Sequence, residues 1–95
     1  MNVRLLTVDF HLGGCRSLKE KRQRLKGLKD RFGRAPNVAV CESDYQDVLQ
    51  RAQWSFVATS ANGAVAEQAL SEILQSLQMS VDAELIDARQ EILAP

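Results

Sequence analysis

The chain has 95 residues, enough for one domain spanning residues 1–95 and too few for two. Its 45% hydrophobic and 25% charged content is ordinary for a globular domain and argues against disorder, and no stretch approaches the roughly 20 apolar residues of a membrane span. Twelve basic and twelve acidic residues cancel, but they are segregated: Arg16 to Arg34 holds nine bases against two acids, net +7, and Ala35 to Pro95 holds two bases against nine acids, net −7.

Val3 to Leu12 alternates as a strand. Leu6, Val8, Phe10 and Leu12 share one face, and Val3, Leu5, Thr7, Asp9 and His11 share the other. The same stretch lacks the basic start and unbroken apolar run of a signal peptide, so a cytoplasmic location is expected. In that compartment Cys15 and Cys41 are expected as free thiols. Gly13-Gly14 ends the strand.

Ser17 opens a helix. Ser17 and Glu20 have the spacing of a capping box, in which the serine oxygen accepts from the Glu20 amide and the Glu20 side chain reaches back. Leu18, Leu25, Leu28 and Phe32 form the apolar stripe, with basic residues around the rest of the cylinder. Gly27 weakens the helix or admits another backbone, and Gly33 and Pro36 stop it.

Val38 to Ser43 reads as the second strand, with Val38 and Val40 toward the core. Asp44 to Ala52 is polar and has room for a turn of helix, where Val48 and Leu49 would cover the core edge. Trp54 to Ser60 reads as the third strand, with Trp54, Phe56 and Ala58 inward. Asn62 caps a second long helix whose apolar face runs Val65, Ala66, Ala69, Leu70, Ile73, Leu74 and Leu77. Ala83 to Leu93 closes the chain as a strand. Its anchors Leu85 and Ile92 have opposite parity, which calls for a bulge, or an end to the strand, between them.

The order β-α-β-β-α-β is the split βαβ pattern of the ferredoxin-like α+β fold. It predicts a four-stranded antiparallel sheet with both helices on one face. The same topology gathers the loop from His11 to Ser17 and the connection from Glu42 to Ala52 at one end of the sheet. That rim would collect His11, Gly13, Gly14, Cys15, Arg16, Ser17, Asp44, Gln46, Asp47 and Arg51.

Three kinds of chemistry are open to such a rim. The first is an anion site, because Gly13 and Gly14 allow close backbone approach and Arg16 and Lys19 stand beside a helix start. A tight turn into a capped helix explains the same residues. The second is phosphate binding along the basic helix, against the alternative of a solvated face neutralised by the acidic half of the chain or of a second copy. No exposed aromatic pair of the RNA-recognition type is present. The third is catalysis or a metal. Adjacent strands stand roughly 4.8 Å apart, so the loops carrying Cys15 and Cys41 start about 10 Å apart. No CxxC, paired histidines or standard zinc spacing occurs, His11 with Cys15 lacks a third group for a triad, and no cofactor or metal is expected.

The run Arg16-Ser17-Leu18-Lys19-Glu20-Lys21-Arg22, followed by Asp44, Gln46, Asp47, Arg51 and Ala52, resembles the YlxP-like family, a bacterial domain family of unassigned function (domain of unknown function 503). The similarity spans essentially the whole chain. Tyr45 fits the aromatic or histidine-type residue common in such sequences, whereas Leu49 stands where a bulkier one is expected. The resemblance implies a ferredoxin-like fold and a gene neighbourhood shared with translation and ribosome-maturation factors. It carries over no catalytic residue.

Residue pattern and resemblance together favour a binding module for RNA or the ribosome. Arg16, Lys19, Lys21, Arg22, Lys26, Lys29, Gln46 and Arg51 are the candidate contacts, with Ser17 and Glu20 as a structural cap and Asp44 or Asp47 pairing with Arg51 or Arg22 across the loops. A homodimer or protein-interaction module, using the mixed face of Val3, Leu5, Thr7 and Val57, is the first alternative. An anion or catalytic site at the rim is the second.

Overall fold

The computed structural model describes residues 1–95. Strand β1 (Asn2–His11) lies inside the sheet, with partners on both sides. On one side β3 (Arg51–Ser60) runs antiparallel in unbroken register, from Asn2 opposite Ser60 to His11 opposite Arg51. On the other side β4 (Glu84–Ala94) is antiparallel with two slips. Strand β2 (Val38–Asp44) pairs with the far edge of β3, so the order is β2-β3-β1-β4. This is the expected ferredoxin-like sheet.

Alternation explains the core. Leu6, Val8, Phe10 and Leu12 are fully buried beside Ala52, Trp54, Phe56 and Ala58 from β3. They pack against Ala66, Leu70, Ile73 and Leu77 of helix α3 (Gly63–Ser80) and against Leu25 and Leu28. Each fully buried large side chain contributes about 1.5–3 kcal/mol. Phe32 meets Phe56 edge-to-face at a centroid distance of 5.8 Å. Asn62 caps α3 by accepting from the Ala64 amide. Val65, expected on the apolar face, is exposed, because the face turned to the sheet is the stripe of Ala66, Leu70, Ile73 and Leu77. No helix is long and apolar enough to cross a membrane.

Two further expectations are corrected. The first helix is two helices, α1 (Leu18–Arg24) and α2 (Leu28–Phe32). Gly27 separates them at φ +90°, a left-handed conformation that side chains disfavour, and the turn lets Leu25 and Leu28 both enter the core. The stretch before β3 forms turns rather than helix, and β3 starts at Arg51. Val48 is exposed there instead of covering the core. The bulge expected in β4 is present: Phe10 faces Leu85 and Asp9 faces Asp87, so Ile86 is the extra residue, and a second slip follows near Leu93.

Candidate nucleic-acid interface

Helix α1 starts at Ser17, whose Oγ accepts from the Glu20 amide at 3.0 Å. Only that half of the predicted capping box forms. The Glu20 carboxylate turns along the helix to Arg24, 3.6 Å away. Helical spacing then divides the side chains. Leu18, Lys21 and Leu25 point toward the sheet, while Lys19, Arg22 and Lys26 lie on the outside.

Lys21 is therefore not a surface contact, as its place in the basic run had suggested. It is 2% exposed. Its ammonium donates to the carbonyls of Tyr45 at 2.6 Å, Val48 at 2.8 Å and Gln46 at 3.5 Å. A buried ammonium has three donors to satisfy, and this loop satisfies them. The Tyr45 carbonyl also accepts from the Val48 amide at 3.0 Å, closing a turn. Tyr45 sits in the left-handed region at φ 62°, in the loop held by this ammonium.

The expected ion pairs between the two loops do not form. Asp44 accepts from its neighbour's amide, Tyr45 N, at 2.7 Å. Arg51 stacks its guanidinium over the Tyr45 ring at 4.8 Å, and its Nε is buried without a hydrogen-bond partner. Gln46 donates to the Glu42 carbonyl at 3.3 Å. The rim is joined by Lys21 and backbone carbonyls instead.

Outside this clamp lies the basic surface. Arg16, Lys19, Arg22, Lys26, Lys29 and Arg34 are exposed. None of them takes part in an ion pair. Of the nine bases in the segment, only Arg24 reaches an acid of the second half, Asp82 at 3.5 Å. Arg24 also donates to the carbonyls of Gly13 and Asp82, at 2.8 and 2.9 Å. Arg31 donates to the Ser80 hydroxyl at 2.7 Å, tying α2 to the end of α3.

Between α1 and the connection after β2 runs a groove of about 320 Å³. Leu18, Leu25 and Trp54 supply its apolar part, and Lys21, Arg22, Glu42, Gln46 and Asp47 its polar part.

The other chemistry-bearing residues do not converge. Cys15 is buried, with Sγ 3.5 Å from the Ser17 carbonyl, and Cys41 is exposed on β2; both are free thiols. His11 faces Glu84 at 3.8 Å. Asp9 meets Arg89, which also pairs with Asp87. The hydrogen bond to Asp87, reinforced by Asp9, holds the Arg89 guanidinium above its ordinary pKa.

Sequence comparison places the chain within this frame. The model of a family described as "Protein of unknown function (DUF503)" matches residues 3–90. The chain belongs to the DUF503 family. It is similar to the uncharacterized protein YlxP of Bacillus subtilis (strain 168), with 33% identity over 75 residues, covering 79% of this chain and 82% of that protein. The DUF503 fold recurs in sequences only 10–12% identical to this one. A de novo designed protein with a ferredoxin fold superposes with TM-score 0.59 and 10% identity, covering 100% of this chain and 88% of its own. SnoaB, a cofactor-independent oxygenase from Streptomyces nogalater, superposes with TM-score 0.57 and 12% identity, covering 100% and 94%.

For this DUF503 chain, sequence reasoning missed two features of the site. Lys21 occupies the inward phase of α1, three residues after Leu18 and four before Leu25, and that phase was the available signal. Trp54 was read as core alone. It is 8% exposed, lines the groove, and its Nε1 has no hydrogen-bond partner.

Proposed function

We propose that this DUF503 protein is a cytoplasmic RNA-binding module, recognising structured RNA either alone or within ribosomal subunits through the outer faces of α1 and α2. One observation carries the reading: Arg16, Lys19, Arg22, Lys26 and Lys29 stand exposed and unpaired, although the chain holds enough acid to neutralise them. Unpaired cations on consecutive helical turns can neutralise phosphates, and counterion release makes such binding steeply salt-dependent. Lys21 has a different role in this reading. It anchors the loop that carries Gln46 and Arg51 beside the basic face.

The test is binding to purified ribosomal subunits and structured RNA across a salt series, with wild type and an Arg22→Glu/Lys26→Glu/Lys29→Glu variant. Steep loss of wild-type affinity with salt, absent in the folded variant, is expected. No binding of either protein at low salt would remove the reading.

A second reading, self-association, draws on the other side of the molecule. The sheet face opposite the helices is uncovered, and edge strand β4 exposes Ile86, Ile92 and Leu93. An unpaired edge strand is a template for a second copy. A mass that rises with concentration, with no salt-sensitive RNA binding, would favour this reading.

A further inference from the structure

We propose that the groove between α1 and the connection after β2 seats one unpaired nucleobase, so that RNA held by the basic face is single-stranded at that point. The proposal deepens the RNA-binding reading and rests on it.

The first observation is Trp54. It is the only tryptophan of the chain, is 8% exposed, and lines the groove. Its indole Nε1 is sealed from solvent and donates to nothing. Buried polar groups in folded proteins are nearly always satisfied, so an orphaned donor on a groove-lining residue points to a missing acceptor. Arg22, Gln46 and Asp47 line the same groove and are exposed, and seating the base requires the groove wall to open onto Nε1.

The second observation is the charge layout. Glu42 and Asp47 put two carboxylates in the groove, while Arg22 stands among them and Lys19 and Lys26 lie on the outer face of α1. The Lys21 ammonium is committed to three carbonyls. Carboxylates repel phosphate, so the anionic backbone belongs on the outer cations and a neutral group belongs inside. That group needs an apolar body for Leu18, Leu25 and the indole, N–H donors for the carboxylates, and an acceptor for Trp54. A nucleobase with an exocyclic amine has all of these, since carboxylates accept from such amines. Uracil lacks the amine and fits less well. The volume of about 320 Å³ is at the small end of the roughly 300–1,000 Å³ of small-ligand sites.

Trp54 emission reports the groove directly. Labelled hexamers of cytidine, of uridine and of an abasic backbone, and a duplex, are titrated at fixed low salt. The cytidine hexamer is expected to bind about tenfold tighter than the abasic one, the scale of one recognised base, and to shift Trp54 emission. The abasic strand and the duplex bind through phosphates and leave the emission unchanged. Trp54→Phe removes the tenfold advantage without altering the salt dependence. Glu42→Gln/Asp47→Asn keeps Trp54 and abolishes the preference for cytidine over uridine, which covers the case of a misfolded Trp54→Phe. Equal, salt-sensitive binding of all hexamers with constant emission would overturn the base site and leave the RNA-binding reading standing. No binding of any RNA or ribosomal subunit at low salt would overturn both.

Discussion

The open face of the sheet and the outer face of α1 and α2 treat charge in opposite ways. On the sheet side, basic side chains find acids close at hand. Arg89 is held between Asp87 and Asp9, and His11 faces Glu84 across the β1–β4 pair. On the helix side, Lys21 turns inward to three carbonyls, while its neighbour Arg22 turns outward and pairs with nothing. Two adjacent bases of one motif therefore serve different ends. The difference teaches that a run of like charge is not one functional unit. Phase on the helix decides which members build the loop and which remain for a partner.

This contrast can be broken experimentally. The largest predicted effect is on RNA binding. Reversing Arg22, Lys26 and Lys29 should weaken it strongly and lower the slope of log affinity against log salt by about 3, since each lost phosphate contact removes about one. The same variant should unfold in urea within about 0.5 kcal/mol of wild type per exposed site. A large stability loss there would show that the outer bases are structural after all.

Lys21→Met should act the other way. It strips a donor from the Tyr45, Gln46 and Val48 carbonyls, and stranded buried acceptors cost about 1–3 kcal/mol. Urea unfolding should show that loss, and hydrogen exchange should show faster opening across residues 45–48. If Lys21→Met were as stable as Arg22→Met, the inward and outward roles would not differ.

Gly27→Ala is a smaller perturbation. At φ +90° nothing crowds a new Cβ, so the cost is backbone strain of about 1 kcal/mol. Thermal unfolding should register it. A neutral result would mean that α1 and α2 can merge into one helix, which would shift the outer bases relative to one another. Least affected should be Arg22→Met, whose side chain makes no hydrogen bond or ion pair and whose unfolding should move by less than about 0.5 kcal/mol.

Much of the fold was legible without coordinates. Alternation of Leu6, Val8, Phe10 and Leu12 defined the inner face of β1, and the opposite parity of Leu85 and Ile92 announced the bulge at Ile86. Ser17 and Asn62 marked two helix starts that the structure keeps. These signals are local: side-chain period, capping chemistry and turn residues act within a few positions of themselves. The charge segregation and the meeting of the two loops at one rim were also available, because topology follows from element order.

Other features depended on groups distant in sequence. The ammonium of Lys21 meets carbonyls 24 to 27 positions away, and no local pattern names them. Whether the acidic half would cover the basic helices was undecided by composition; folding brings only Asp82 within ion-pair distance of that segment, through Arg24, while Glu42 and Asp47 share the groove with Arg22 without pairing to it. Trp54 shows the same limit. Its alternation assigned it to the core, but only packing left its Nε1 without an acceptor beside a groove. Burial of apolar surface follows from pattern because it is nondirectional, whereas the partner of a charge or an N–H is a matter of direction and distance, and tertiary structure alone sets both.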